Sequence, residues 1–405
     1  MVSIDEALEI IYSAVNKKSR EIIPIEEAVN RVVAQDYYAS FDLPRFDNSA
    51  MDGYAVKVSD SGLKVKVKEI IYAGDKANEG FDEGEVVKIM TGAPTPKGCE
   101  AIVPIEDVEI MEDGTIMLPS NIKMNMMIRW RGEDIRRGEI FLTADSKITG
   151  YSLALLASQG ISHIEVYRKP KVVIFSTGEE LKAHYEKIEA HQLYNSNAPM
   201  FYARAKELGC EVSYISTSGD TLASLKASVK DAYDADLILT SGGVSVGDKD
   251  FTIQAFKELG MEILFSKVDI KPGKPTTFGR LESCFVINLP GNPLAGMVNF
   301  EMFVKPTILK LSGTKSFYHP VVYTSIAEDY KFRAGKNSVI LGRWSGRSFT
   351  PIGNQKPGMV SPIALADGMI VTTKKIDFLE KDRLVGMIPI KIDLQSDKRE
   401  DFFIE

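Results

Sequence analysis

Residues 236–250 read DLILTSGGVSVGDKD and join a short apolar run to a glycine-rich turn. The amphipathic segment DFTIQAFKELG, at 250–260, follows this turn directly. A short, continuous apolar run before a helical pattern is typical of a strand that is buried on both faces of a parallel sheet. The stretch therefore predicts a strand, a turn whose backbone can approach a ligand, and a helix whose free N–H groups can meet an anion.

The same order of elements recurs on both sides of this stretch. Apolar runs alternate with helical patterns, and the runs are KVVIF, EVSYIS, DLILT, MEILF and CFVINL. Such alternation indicates a mainly parallel sheet with helices on both faces. We therefore predict a doubly wound α/β domain at residues 169–318.

The flanking segments predict three further domains. An amphipathic helix with a Ser3–Glu6 capping box opens the chain, and a second short helix is predicted at 24–34. Short strands between Gly, Pro and Asp turns fill two other regions. The predicted fold class is multidomain α/β plus β, with a split helical N-terminal domain at 1–44 and 139–168, an inserted small β domain at 45–138, and a C-terminal β barrel at 319–405.

Composition excludes several classes of protein. The 405 residues include 49 Lys and Arg against 56 Asp and Glu, so the net charge is −7. That sign is wrong for a protein that grips a nucleic-acid backbone over a broad surface. No apolar run approaches the roughly 18 residues of a membrane span, and the N-terminus has no signal-peptide pattern. We expect a cytoplasmic protein that binds neither nucleic acid nor membrane.

The three cysteines are Cys99, Cys210 and Cys284. They lie too far apart for zinc-ligand spacing, and any disulfide between two of them would leave one unpaired. We expect reduced thiols that act as small hydrophobic side chains.

Ligands of open parallel sheets bind outside the carboxyl ends of the strands, so the residues that follow each predicted strand are candidates for a site. KVVIF leads to Glu180, EVSYIS leads to Asp220, and DLILT leads to Asp250. The turn after DLILT is a candidate phosphate cradle, and its residues are Ser241, Gly242, Gly243, Ser245 and Gly247. The alternative is a tight turn that only lets helix and strand pack.

Carboxylates beside a phosphate cradle would repel an anionic ligand unless a cation lies between them. Mg²⁺ is commonly held by one or two carboxylates together with phosphate oxygens. Asp220 and Asp250 therefore predict a Mg²⁺ site. Each could instead cap the helix that follows it, a position at which Asp is among the preferred residues.

Two proline-containing loops complete the candidate site in the α/β domain. IKPGKPTTFG presents Lys271 and Lys274 on a stiffened backbone, which suits a clamp for an oxyanion, although solvated loop lysines are the alternative. LPGNP places Pro290 and Pro293 around a tight turn before a helix, and by itself it indicates only a turn.

The predicted β insert has polar features that do not serve packing. Asp52 lies in the polar loop RFDNSAMDGYA, Thr91 follows the strand VVKIM, and Arg131 belongs to the basic segment RWRGEDIRRG. An anionic ligand could touch these residues. A solvated basic turn is the alternative for the arginines.

Seven motifs then occur in one order along nearly the whole chain: FDNSAMDGYA, IMTGAP, RGEDI, STGEEL, TSGGVSVGDKDF, KPGKP and LPGNP. In these motifs the sequence resembles the molybdopterin molybdenumtransferase family, which is related to the C-terminal part of gephyrin. The resemblance implies an elongated helical domain, an inserted β domain, an α/β domain shared with molybdopterin adenylyltransferases, and a C-terminal barrel, assembled as a homodimer.

The resemblance also implies an activity, which is the last step of molybdenum cofactor biosynthesis. Adenylylated molybdopterin and molybdate would give molybdenum cofactor and AMP, with Mg²⁺ or another divalent ion assisting. A molybdopterin adenylyltransferase is a possible partner protein. The alternatives are a molybdopterin adenylyltransferase and a non-catalytic scaffold like gephyrin, and nothing in the sequence separates molybdate from tungstate.

The resemblance assigns roles to individual residues. Asp52 and Thr91 would reach the active site of the partner subunit, Arg131 would add positive charge, and Ser361 would lie near the oxyanion. The catalytic residues would be Asp52, Thr91, Glu180, Asp220 and Asp250.

Two departures from the family pattern affect the oxyanion. Relatives usually continue LPGNP with Val-Ser, whereas Leu294 and Ala295 follow here, so a hydroxyl contact is missing. The arginine pattern of the barrel is also poorly matched, with Lys336 or Arg343 as possible substitutes.

Overall fold

The computed structural model describes residues 1–76, 79–176, 180–216, 222–232, 234–242, 251–333, 335–392 and 403. These residues form two compact units. One comprises residues 1–34, 145–149 and 163–405, and the other comprises residues 35–144 and 150–162.

A six-stranded sheet forms the centre of the first unit. In spatial order its strands are Glu211–Ser216, Lys171–Ser176, Leu237–Ser241, Cys284–Leu289, Thr277–Leu281 and Glu262–Ser266. The first four strands are parallel, whereas the last two are antiparallel to their neighbours. The predicted α/β fold class with a mainly parallel sheet is confirmed.

Helices pack on both faces of this sheet. They are Ile4–Ala14, Asn197–Glu207, Leu222–Asp231, Phe251–Glu258, Pro293–Asn299 and Lys305–Leu311, the last two joined by a π-helical segment at Phe300–Val304. Because successive strand residues point to opposite faces, Leu237 and Leu239 lie in one apolar core and Ile238 lies in another. Nearly continuous apolar strands are the result.

Strand Thr277–Leu281 was not predicted from the sequence. It forms a hairpin with Cys284–Leu289 through the tight turn at Glu282 and Ser283. Glu282 adopts a positive φ of 54°, a conformation that hairpin turns usually give to Gly or Asn, so the usual turn signal is absent.

The N-terminal predictions had different outcomes. The Ser3–Glu6 capping box is present and begins the helix Ile4–Ala14. The predicted second helix at 24–34 is wrong, because only a 3₁₀ turn forms at Ile25–Glu27. Asn30 then adopts a positive φ of 68°, and the following backbone pairs as isolated β-bridges rather than continuing a helix. Strand Arg20–Pro24, which precedes the turn, pairs with His163–Tyr167.

A closed five-stranded barrel forms the C-terminal part of the first unit, as predicted. Its strands, in barrel order, are Val322–Ile326, Ser348–Pro351, Ser338–Trp344, Gly368–Thr372 and Leu384–Pro389. Ile340, Phe349 and Met387 belong to its apolar core. A Cβ on Gly342 would lie 2.2 Å from the Phe349 ring, so this strand accepts only glycine there.

The second unit contains another six-stranded sheet. Its order is Ala101–Pro104, Gly53–Val56, Glu85–Ile89, Lys64–Ile71, Ile116–Met117 and Glu109–Ile110. Strand Gly53–Val56 is fully buried, although the sequence suggested a loop that continued to Ala55. A Cβ on Gly53 would lie 2.2 Å from the Val103 carbonyl oxygen, so the glycine that suggested a turn instead permits close strand packing.

The remaining elements of the two units are short. Minor strands pair as Leu181–Lys182 with Leu193–Tyr194, Tyr330–Lys331 with Phe378–Leu379, Asn48–Ser49 with Ile128–Arg129, and Tyr37–Tyr38 with Ile140–Leu142. The further helical segments are Gly150–Ser158, Ser361–Leu365 and the 3₁₀ turns Val58–Asp60 and Ile105–Asp107. Within the described ranges, no helix is long and apolar enough to span a membrane.

All three cysteines are free, and burial raises the pKa of Cys99, Cys210 and Cys284 to about 12. A thiol with so high a pKa stays protonated at neutral pH and is a poor nucleophile. The cysteines therefore pack as small apolar side chains.

Candidate functional site

Asp52 and Thr91 form a hydrogen-bonded pair in the second unit. Antiparallel pairing of Gly53 with Ile89 places the residues just outside both strands next to each other. The backbone N–H and the hydroxyl of Thr91 donate to Asp52 Oδ1 at 2.7 and 2.8 Å. Both hydrogen bonds lower the pKa of the exposed Asp52 carboxyl, and the one from the backbone N–H has the larger effect. The result is an oriented, ionised carboxylate.

Arg131 forms hydrogen bonds with two neighbouring aspartates. Its Nε donates to Asp42 Oδ2 at 2.6 Å and its backbone N–H donates to Asp47 Oδ1 at 2.8 Å. The side chain is still 62% exposed. Asp42 therefore offsets part of the positive charge that the sequence offered to an anion.

The start of the candidate cradle lies against the LPGNP turn in the first unit. Ser241 ends a buried strand, and the N–H of Gly242 donates to the Leu289 carbonyl at 3.2 Å. Gly242 has a φ of +92°, and a Cβ on Gly291 would lie 3.3 Å from its Cα. Glycine is needed on both sides of this close approach.

Asn197 joins these two loops. Its Nδ2 donates to Ser241 Oγ at 2.7 Å and to the Gly291 carbonyl at 2.8 Å. The side chain is buried at the start of the helix Asn197–Glu207. No motif pointed to this residue, because its partners come from two distant parts of the sequence.

Several predicted site residues lie outside the described part of the chain, namely Asp220, Gly243, Ser245, Gly247 and Asp250. Glu180 is described and exposed, and its carbonyl accepts the Leu193 N–H at 2.8 Å. Within the described residues, no three acidic, His or Cys side chains are grouped to hold a metal ion.

The lysine loop, residues 271–276, is fixed to the barrel through its backbone. The Lys271 N–H donates to the Asn337 carbonyl, and the Lys271 carbonyl accepts the Val339 N–H, both at 2.8 Å. The Lys274 carbonyl accepts the Val268 N–H at 2.9 Å. Both lysine side chains are exposed, so the loop presents two cations from an ordered backbone.

Lys271 and Arg333 both line a pocket between the lysine loop and the barrel. Its walls also include the aromatic residues Tyr330 and Phe332 and the side chain of Gln355. The sequence reasoning missed Arg333 and considered Lys336 and Arg343, neither of which lines this pocket. The pocket forms from segments that are distant in sequence, so no local motif marks it.

The LPGNP turn leads into a helix whose first turn is hydrogen-bonded to the segment before Ser361. Pro290 is buried, and Pro293 begins the helix Pro293–Asn299, as the sequence predicts. The Leu294 N–H donates at 3.0 Å to the carbonyl of Pro357, which also lines the pocket. Ser361 is exposed at the start of the helix that follows.

Comparison with known proteins identifies the family. Three family models match the chain. The model described as "MoeA N-terminal region (domain I and II)" matches residues 2–160, and the model described as "Probable molybdopterin binding domain" matches residues 173–310. The model described as "MoeA C-terminal region (domain IV)" matches residues 324–390. A molybdopterin molybdenumtransferase of Haemophilus influenzae is 40% identical over 310 residues, 76% of each chain. This chain belongs to the molybdopterin molybdenumtransferase family.

Other members of the molybdenumtransferase family match more of the chain. A relative from Staphylococcus epidermidis is 32% identical over 382 residues, 91% of each chain. Two crystal structures of a molybdopterin biosynthesis MoeA protein from Pyrococcus horikoshii have TM-scores of 0.83 and 0.82, with 28% and 25% identity. Each covers 96% of this chain, so the resemblance in sequence motifs extends to the fold.

Proposed function

We propose that the protein is a molybdopterin molybdenumtransferase, which moves molybdenum from molybdate to adenylylated molybdopterin and releases AMP. The observation that carries the proposal is the pocket that joins Lys271 to Arg333, in a chain that matches all three regions of the family. A tetrahedral dianion needs cations held in place beside a recess. The pocket provides the recess, and Lys271 and Arg333 in its wall provide the cations.

Molybdate would bind at this pocket. Lys271 and Arg333 would neutralise its two charges, Lys274 would add a third cation nearby, and Ser361 would donate a hydroxyl. Buried Ala295 supplies no hydroxyl, so in this chain the oxyanion would depend more on the cations. Molybdenum would then pass to the dithiolene of the substrate, which explains why no reactive cysteine is required.

The pyrophosphate of adenylylated molybdopterin would lie against the carboxyl ends of the strands. Ser241 and the glycines from Gly242 to Gly247 would offer hydroxyl and N–H groups to its oxygens, and Pro290 and Pro293 would shape the adjoining turn. Asp52, oriented by Thr91, would reach the active site of the partner subunit and there accept a proton from the water that attacks phosphorus as the bond to AMP breaks. Glu180 would line the same rim, and Arg131 would add charge from the β region.

We also propose Mg²⁺ as the metal ion of this reaction. Carboxylate oxygens are ligands that Mg²⁺ prefers, and Asp220 and Asp250 would provide them. The ion would supply neutralisation of the charge on the departing AMP.

A homodimer is proposed because of the helix Gly150–Ser158. Nearly all of its residues are apolar or small, yet only Leu156 is buried, while Tyr151 is 90% exposed. An apolar helix in this setting is expected to bury its surface against a second copy of the chain. Tyr151→Asp should shift the mass measured by light scattering from dimer to monomer, and an unchanged mass would contradict this interface.

We also propose the domain division, the cellular location and a partner protein. A split N-terminal domain at 1–44 and 139–168 would be interrupted by the β insert at 45–138, and the compact unit of residues 35–144 and 150–162 contains all of this insert. A cytoplasmic location and a molybdopterin adenylyltransferase partner are proposed from the family alone.

The test is an incubation of the purified protein with adenylylated molybdopterin, Mg²⁺ and molybdate, with AMP followed by chromatography. AMP release that depends on molybdate supports the proposal. Consumption of ATP with metal-free molybdopterin would instead indicate the adenylyltransferase, and no turnover in either assay would indicate a scaffold. Tungstate, which is nearly isosteric with molybdate, should be compared in the same assay.

A further inference from the structure

A fully buried asparagine lies directly beneath the lysine loop. Asn299 is 0% exposed and ends the helix Pro293–Asn299. Its Nδ2 donates to the Ala295 carbonyl at 2.7 Å and to the Pro272 carbonyl at 3.3 Å. Its Oδ1 accepts the Thr276 hydroxyl at 2.8 Å. One amide therefore connects the helix to both ends of the loop.

The loop is shaped to rest on this amide. Gly273 has a φ of +108°, and a Cβ at that position would lie 1.6 Å from Asn299 Nδ2. The Thr276 hydroxyl also lies 2.9 Å from the Gly273 carbonyl oxygen. No side chain fits between the loop and Asn299, so the backbone of Gly273 packs directly on the amide.

The barrel holds the loop from a second direction. Lys271 exchanges two backbone hydrogen bonds with the segment Asn337–Val339, and Asn337 Nδ2 donates to Asp269 Oδ2 at 3.1 Å. The barrel therefore fixes the first residue of the loop, while Asn299 fixes the residues after it. A cation on a backbone held in this way loses little conformational freedom when it binds an anion.

We propose that Asn299 is a positioning residue of the oxyanion subsite. It does not touch the oxyanion; it fixes the backbone from Pro272 to Thr276, and thereby the directions in which Lys271 and Lys274 leave the loop. The inference rests on the proposed function, because it assigns these lysines to molybdate. A positioning role differs from a role in folding, because loss of the Asn299 side chain should weaken the binding of molybdate and not that of adenylylated molybdopterin.

The test is steady-state kinetics of Asn299→Ala, with each substrate varied in turn. The variant removes the donor to the Pro272 carbonyl and the acceptor for Thr276, so the loop gains freedom. The half-saturating molybdate concentration should rise about 10-fold, since small misplacements of binding groups cost one to two orders of magnitude. The KM for adenylylated molybdopterin, and kcat at saturating molybdate, should stay within about twofold of wild type.

Thr307→Val is the matched control. Thr307 is also fully buried, and its hydroxyl donates to the Phe303 carbonyl at 2.7 Å, away from the loop. The control removes one buried hydrogen bond outside the loop and should leave the molybdate dependence unchanged. If Asn299→Ala does not fold, Thr276→Val removes one of the same contacts with little change of shape and should raise the half-saturating molybdate concentration about threefold.

Retention of molybdate by each protein, measured by equilibrium dialysis and elemental analysis, separates the possible failures. Folded loop variants that retain molybdate as well as wild type, with normal kinetics, would overturn the role of Asn299. A parallel change in both KM values, matched by Thr307→Val, would also overturn it, because that pattern indicates general destabilisation. A wild-type protein that neither retains molybdate nor releases AMP would overturn the proposed function and this inference together.

Discussion

The Asp52–Thr91 pair presents a negative charge and the lysine loop presents positive charges, and the contacts that hold them in place differ. Asp52 is exposed and is held by two hydrogen bonds from a single threonine. The lysine loop is held from below by the buried Asn299 and from the side by the barrel backbone. A charge oriented by exposed local contacts should be replaceable without loss of stability, whereas a charge oriented by buried contacts depends on the surrounding fold.

Replacement of Asp52 tests the first half of this comparison and should have the largest effect. Asp52→Ala removes the proposed proton acceptor, so AMP release should fall about 100-fold or more, in the range for general bases. The melting temperature should not change, because Asp52 is exposed. Asp107→Ala is a control with another exposed acid of the same unit. Equal activities of the two variants would remove Asp52 from catalysis.

A buried acid just before the strand Leu237–Ser241 tests the second half of the comparison, that a charge held by buried contacts depends on the surrounding fold. The Asp236 side chain is 5% exposed and accepts hydrogen bonds from Arg168 and the Lys171 N–H, with Lys18 also paired to it. Loss of one partner from a buried ion pair typically costs 3–5 kcal/mol. Asp236→Asn, which keeps a hydrogen-bonding side chain, should lower the free energy of unfolding by about 3 kcal/mol in denaturant titrations. A loss below about 0.5 kcal/mol would contradict the distinction.

The pH dependence of Asp236→Asn has a definite sign. Burial raises the pKa of Asp236, but the hydrogen bonds from Arg168, the Lys171 N–H and Lys18 outweigh it and lower the pKa overall. The stability that wild type gains over the variant is therefore complete above the unfolded pKa of about 4. It should disappear as the pH falls through the lower folded value.

Lys271→Ala should have a smaller, substrate-specific effect. Removal of one cation weakens molybdate binding, so the half-saturating concentration should rise about 10-fold, equivalent to about 1.4 kcal/mol. Excess molybdate should restore kcat. A variant with wild-type activity at low molybdate would show that Lys271 is a solvated loop lysine.

Thr91→Val should have the smallest effect and sharpens the account of Asp52. The variant loses the hydroxyl donor but keeps the backbone N–H, the main cause of the lowered pKa of Asp52. The pKa of Asp52 should rise part of the way to its ordinary value, and the acid limb of the activity profile should move to higher pH. Activity near neutral pH should fall no more than about threefold, as expected for one exposed hydrogen bond. An unmoved acid limb would mean that Asp52 does not govern it.

Local patterns in the sequence predicted most of the fold. Continuous apolar runs marked the strands Lys171–Ser176, Leu237–Ser241 and Cys284–Leu289, because strands covered on both faces need no polar positions. Several strands escaped prediction, and in two of them local signals conflict with the packing. Gly53–Val56 begins with a glycine that serves a close approach, and Thr277–Leu281 follows a polar loop and contains Gly279.

Motifs in the sequence mark Asp52, Thr91 and Lys271 as candidate site residues, and these assignments stay predictions. Arg333 and Asn299 are not marked in this way, because their importance arises from partners that are distant in sequence. Arg333 lines the same pocket as Lys271 although the two residues are distant in sequence, and Asn299 contacts the loop from the helix after LPGNP. Such residues carry no periodicity or motif that a single sequence can reveal.

The most direct test of the central claim is a single turnover with adenylylated molybdopterin bound to excess wild-type protein. Molybdate is added, and both the AMP released and the molybdenum attached to molybdopterin are measured. The account predicts equimolar amounts of the two products and neither product without molybdate. Release of AMP without molybdenum attached to molybdopterin would contradict it.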